Sequence, residues 1–167
     1  MIERSSPSLV AAILAAVTFA VASCSSTSPA SYSAKDLNSG ATVSLAALRG
    51  APVLLVSWTT WCTECDEELA GLQAFAGSDS AAGITIVAVN LDAADVTDQI
   101  NAKIAKHGLT TSLWRDKRNE FKRVFGALGV PTTVLVNSRG DVVGTFPGAV
   151  DFDDERILDA LDHVRKT

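Results

Sequence analysis

Apolar residues in this chain fall into two kinds of run. Val53-Leu54-Leu55-Val56 within 52–58 and Ile84-Thr85-Ile86-Val87-Ala88-Val89 within 84–90 are short, nearly continuous and β-branched, which predicts strands buried on both faces. After the first, Leu69, Leu72 and Phe75 recur at helical spacing up to Gly77, predicting a helix that starts at Cys62. After the second, Val96, Ile100 and Ile104 repeat every fourth residue up to Gly108. That predicts another helix, with His107 at its C-terminus complementing the dipole. Strand, helix, strand, helix implies parallel pairing.

The flanking segments read differently. Tyr32 to Ser44 holds two short extended stretches around Leu37-Asn38-Ser39-Gly40, a hairpin signal, and Leu45 to Arg49 reads as a helical turn closed by Gly50. A short segment at Ser112-Leu113-Trp114 precedes a helix from Glu120 to Phe125. Two further strands, Thr132–Asn137 and Asp141–Phe146, are joined through Ser138-Arg139-Gly140 as an antiparallel hairpin. A last helix is expected from about Asp153, with Ile157, Leu158, Leu161 and Val164 on one face and Asp153, Asp154 and Glu155 at its positive end. There is no internal repeat.

Ahead of all this, Leu9 to Ala20 is an uncharged apolar run with the length of a secretory h-region and too short for a comfortable membrane span. Val21-Ala22-Ser23-Cys24 after it resembles the lipobox of bacterial lipoprotein signal peptides, which implies cleavage before Cys24 and a lipid on that residue. Acyl chains there would partition at about 0.8 kcal/mol per buried methylene. The competing reading is an ordinary cleaved signal peptide with a chance cysteine. From Ser25 to Ser33 the composition is nearly all Ser, Thr, Ala and Pro, as in a flexible tether. The expected organisation is therefore a lipoprotein signal peptide over 1–23, a tether over 24–33 and one folded domain over 34–167.

Composition narrows the function. Among 167 residues, 47% are hydrophobic, and the net charge of −5 comes without a basic stretch, so nucleic acid is not an expected partner. Only three cysteines occur. With Cys24 as the lipid site, the others stand in Trp61-Cys62-Thr63-Glu64-Cys65, a spacing suited to local dithiol chemistry. A disulfide closing so short a loop adds little stability, which favours a working pair over a staple. Half a zinc site and a pair of inert buried thiols are the alternatives. Zinc would need two more ligands, and His107 and His163 lie in separate helices without ligand spacing, so no metal is expected.

A buried strand running into Trp-Cys-x-x-Cys at a helix start, a later βαβ unit, Gly129-Val130-Pro131-Thr132-Thr133 opening a hairpin and a final helix resemble the thioredoxin fold from about Tyr32 to Val164. Trp58, Glu68, Asn90-Leu91-Asp92 and the extra segment through Trp114-Arg115-Asp116 make it similar to the TlpA/ResA-like branch, grouped with the AhpC/TSA and redoxin domains. The resemblance implies an α/β fold with a central mixed sheet flanked by helices, an N-terminal β-hairpin and a TlpA-type insertion. It also implies an extracytoplasmic thiol-disulfide oxidoreductase, commonly membrane-tethered. The chain departs from the branch at Ala70 and Glu64, where Pro is usual, and carries Val56 where cytoplasmic thioredoxins have a buried Asp. The redox poise therefore does not carry over.

Within that frame, Cys62 meets the unpaired N–H groups and positive dipole of a helix start, which favours the thiolate and makes it the nucleophile. Cys65, one turn on, is the resolving thiol. Glu64, Asp66, Glu67 and Glu68 oppose the thiolate by like charge, although Asp66 and Glu67 also read as acids that simply suit the first turn of a helix; where the carboxylates win, the disulfide is stabilised and the protein is a reductant. Glu68 matches an acid that ResA-like proteins keep near their cysteines, and proton transfer with Cys65 is its implied role. Pro131 matches the cis-proline placed opposite the cysteines in this fold; it would leave the backbone of Val130 free to pair with an extended substrate. Trp61 would pack at the rim beside the disulfide and, with Val130 and Pro131, face the substrate.

The expected partners are protein disulfide substrates and a membrane thiol donor, for a monomer with no bound cofactor. A thiol peroxidase is the main rival: Thr59 stands three residues before Cys62, but Leu55 fills the position where peroxiredoxins carry Pro. A non-enzymatic binding module on the same fold is the other.

Overall fold

The computed structural model describes residues 28–167. The expectations for the signal peptide and for Cys24 lie outside the described residues. Seven strands form one sheet: β1 (Ser33–Asp36), β2 (Thr42–Ser44), β3 (Val53–Trp58), β4 (Thr85–Asn90), β5 (Ser112–Arg115), β6 (Thr132–Val136) and β7 (Val142–Pro147). Four helices flank it: α1 (Glu64–Ala76), α2 (Thr97–His107), α3 (Glu120–Phe125) and α4 (Glu155–Arg165). The strand order is β2-β1-β5-β4-β3-β6-β7.

Every residue of β3 is buried, which is why the sequence shows a continuous apolar run rather than alternation. It pairs in parallel with β4, Val53 opposite Thr85 through Trp58 opposite Asn90, and antiparallel with β6. β4 and β5 are parallel too, so both helical crossovers join parallel strands as the alternation implied. The segment through Trp114–Asp116 supplies β5, which carries the β1–β2 hairpin on its outer side.

The sheet separates two cores. Leu54, Val56 and Trp58 point to one face with Leu69 and Leu72 of α1, Ile100 of α2 and Leu161 of α4. Val53 and Leu55 point to the other, with Phe121 and Phe125 of α3. Tyr32 stands edge-on to those two rings, at centroid distances of 5.9 and 5.1 Å. The chain engages the fold from a 3₁₀ turn at Pro29–Ser31, inside the stretch whose composition suggested a tether, because the Tyr32 ring is buried under α3.

Three boundaries differ from expectation. Helix α1 begins at Glu64 rather than Cys62, because the Cys62 N–H turns back to the Thr59 carbonyl (3.4 Å) and Thr63 is the N-cap. Helix α4 begins at Glu155, with the Asp154 carboxylate capping the Arg156 N–H. Strand β7 runs on to Pro147. Among the described residues no helix is long and apolar enough to cross a membrane.

A candidate redox site at the end of β3

Strand β3 ends at Trp58, whose ring is fully buried, and the chain then bends through Thr59–Thr63 into α1. Cys62 and Cys65 flank that helix start and are joined by a disulfide with a Cα–Cα distance of 5.4 Å. Cys65 is 0% exposed and Cys62 6%, so only the Cys62 side is within reach of a partner. The Cys65 N–H donates to Cys62 Sγ at 3.1 Å. It is one of the unpaired first-turn donors of α1, and it points at the sulfur that would carry negative charge after reduction.

The bend is held from two sides. Asp92, just past β4, accepts from the Thr60 N–H (2.8 Å) and Thr60 Oγ1 (3.1 Å), and is fixed in turn by Asn90 Nδ2 (2.8 Å). On the other side Lys103 of α2, 8% exposed, donates to the carbonyls of Cys62 (2.8 Å) and Thr59 (3.2 Å). Sequence reading missed Lys103. Its signal was a cation at the i+3 position from Ile100, on the apolar stripe of α2, where a solvated lysine would not be placed.

The acidic first turn differs from its sequence appearance. Asp66 is 3.4 Å from Lys103 Nζ, 3.0 Å from Lys106 Nζ and 2.6 Å from His107 Nε2. Burial would raise its carboxyl, but the His107 and Lys106 hydrogen bonds and the Lys103 charge hold it down at about 2. Its charge is thus largely answered by α2. His107, expected merely to complement the helix dipole, is one of the three α2 side chains in that contact. Glu68 is 2% exposed, and burial pushes its carboxyl up to about 7 despite accepting from Thr133 Oγ1 (2.7 Å) and the Val150 N–H (3.3 Å). Its Oε2 is buried without a partner. Near neutral pH it therefore carries a proton part of the time. Only Glu64 and Glu67 remain as exposed, unpaired first-turn carboxylates.

Just before β6, beside the C-terminal end of β3, the Val130–Pro131 bond is cis. Ser57 Oγ locks β3 to β6 beside it, accepting from the Thr132 N–H (2.9 Å) and donating to the Thr132 carbonyl (3.0 Å). Val130 makes no backbone hydrogen bond within the described residues. Trp61 and Leu128 stand out from this surface at 72% and 96% exposure; Leu128 was not singled out from the sequence. Val130, Pro131 and Trp61 were read as one substrate-facing set. Thr59 Oγ1, the hydroxyl a peroxidase would require, is buried without a partner.

A model of the AhpC/TSA family matches residues 27–145. The chain is 34% identical over 113 residues to the thiol-disulfide oxidoreductase ResA of Oceanobacillus iheyensis, covering 67% of this chain and 57% of that protein. It is 28% identical over 98 residues to the sporulation thiol-disulfide oxidoreductase A of Bacillus subtilis, covering 58% and 59%. The alignments thus span less than two thirds of those relatives' length. Among solved structures it is similar to a Chlorobium tepidum protein described as a thiol:disulfide interchange protein DsbE, with a TM-score of 0.67, 28% identity and coverage of 78% and 92%.

Proposed function

The chain belongs to the AhpC/TSA family, in its TlpA/ResA-like branch, and on that premise we propose that it is a thiol-disulfide oxidoreductase that reduces protein disulfides through Cys62 and Cys65. The observation that carries this is the disulfide at the start of α1, with Cys65 sealed and a backbone N–H directed at Cys62 Sγ.

In the reduced state the Cys62 thiolate attacks one sulfur of a substrate disulfide, whose other sulfur leaves as a thiolate and takes a proton. Cys65 gives up its proton and attacks Cys62 Sγ, closing the internal disulfide and releasing the second substrate thiol. Two electrons pass from the dithiol to the substrate. Glu68, on the buried face of α1 one turn after Cys65 and poised near neutrality, is the group we assign to take the Cys65 proton. The free Val130 backbone and the exposed Trp61 ring are assigned to the substrate segment. The two thiols carry the electrons, so the cycle requires no bound cofactor.

The direction of transfer rests on Glu64 and Glu67, which disfavour the Cys62 thiolate, and on a partly charged Glu68; Asp66 contributes little because α2 neutralises it. The proposed setting is extracytoplasmic, with a lipid on Cys24 holding the domain at the membrane and a membrane thiol donor re-reducing it. Dithiothreitol-driven reduction of insulin by the full chain tests the activity. Turnover that disappears in Cys62→Ser supports it; equal rates in both proteins refute it. Hydroperoxide consumption without a disulfide substrate should not exceed that of Cys62→Ser, and an excess would favour the peroxidase.

A further inference from the structure

A buried ammonium is costly unless its protons all find acceptors. Lys103 has three donors and three acceptors within reach: the carbonyls of Thr59 and Cys62 and Asp66 Oδ2. Two of these belong to the bend that presents the nucleophile, and one is the nucleophile's own carbonyl. An uncharged side chain at 103 would leave both carbonyls without this partner and would remove the cation nearest to Cys62 on the α2 side.

We propose that Lys103 is a positioning residue for Cys62: it clamps the Thr59–Cys62 bend to α2 and supplies the positive charge that sustains the Cys62 thiolate against the acidic first turn. Asp66 acts as its regulator, sharing the ammonium between the bend and a carboxylate. The inference rests on the oxidoreductase reading. The ionisable groups on the elements packed around the Thr59–Cys62 bend are Glu64, Asp66, Glu67 and Glu68 from α1, Lys103 with Lys106 and His107 from α2, and Asp92 from the β4–α2 loop. Of these only Lys103 is both buried and bonded to the bend as a cation.

The test uses the full reduced chain carrying Cys24→Ser, so that only two thiols react, and follows Cys62 alkylation against pH. Lys103→Met should raise the apparent Cys62 pKa by about one unit, lowering the alkylation rate at pH 7 about tenfold. At pH values where the wild-type thiolate dominates, the potential should fall by about 30 mV, the equivalent of that tenfold change for two electrons. Lys103→Arg, which keeps the charge, should recover most of the rate. A Lys103→Met protein with a cooperative urea transition but wild-type titration and potential overturns the proposal, since that is what a purely structural lysine gives. If Lys103→Met does not fold, Lys103→Gln decides: it keeps a donor to the carbonyls but removes the charge, so Cys62 should alkylate more slowly at pH 7, and an unchanged or faster rate overturns the idea. Alkylation requires no turnover. A wild type inactive on insulin would therefore count against the assigned reaction, and an unshifted titration against the role of Lys103.

Discussion

At the scale of single residues, the behaviour of Glu68 follows from its burial. Its folded-state carboxyl is raised from 4.5 to about 7 by burial, so the folded protein holds this proton more tightly than the unfolded chain. The stability it contributes is fully present below pH 4.5 and is lost as pH rises through 7, by about 3 kcal/mol at the limit. Denaturant titrations should show that Glu68→Gln is more stable relative to wild type at pH 8 than at pH 5; a constant difference contradicts the assigned pKa shift. The cysteines divide by exposure: Cys65→Ser should accumulate a mixed disulfide between Cys62 and a protein substrate, visible on non-reducing gels, whereas Cys62→Ser should form none. These residues were legible because Cys62, Cys65, Glu68 and Pro131 lie in short recognisable spacings. Lys103 and the pairing of Asp66 were not, because their contacts join positions about forty residues apart and only the packing of α2 on α1 brings them together.

At the scale of elements, α2 is the part whose periodicity said least about its role. Its repeat located the helix, and Ile100 is fully buried as the stripe required, while Val96 and Ile104 are only half-buried. The remaining space on that face belongs to Lys103 and His107. Ile100→Ala should cost about 2–5 kcal/mol in urea denaturation, and Val96→Ala clearly less; equal losses would mean that the helix is not seated as described. Gly108 ends α2 at φ +58°, with open space where a Cβ would sit, so Gly108→Ala should cost only the backbone strain, about 1 kcal/mol. The start of α1 was misplaced by two residues because hydrophobic spacing cannot see the bend at Thr59–Cys62. That bend is fixed by hydrogen bonds to Asp92 and from Lys103, not by local propensity.

At the scale of the molecule, the central sheet was readable in advance, since the runs buried on both faces and the helix-linked alternation specify parallel β3, β4 and β5, and the late hairpin specifies antiparallel β6 and β7. What no strand pattern could give was the placement of β5 between β1 and β4, because strand order depends on which crossovers the two cores permit. The architecture sets the redox pair at the C-terminal end of β3, between an acidic helix start and a buried cation, and the proposed poise follows from the balance of those charges. The most direct measurement is equilibration of the full chain carrying Cys24→Ser in graded dithiothreitol or glutathione buffers, with the Cys62–Cys65 state read by alkylation and tryptophan fluorescence. That charge balance predicts one reversible two-electron transition lying nearer to thioredoxin's potential of about −270 mV than to about −120 mV. A midpoint near about −120 mV would contradict the reductive direction, and the absence of any reversible transition would contradict the assigned chemistry altogether.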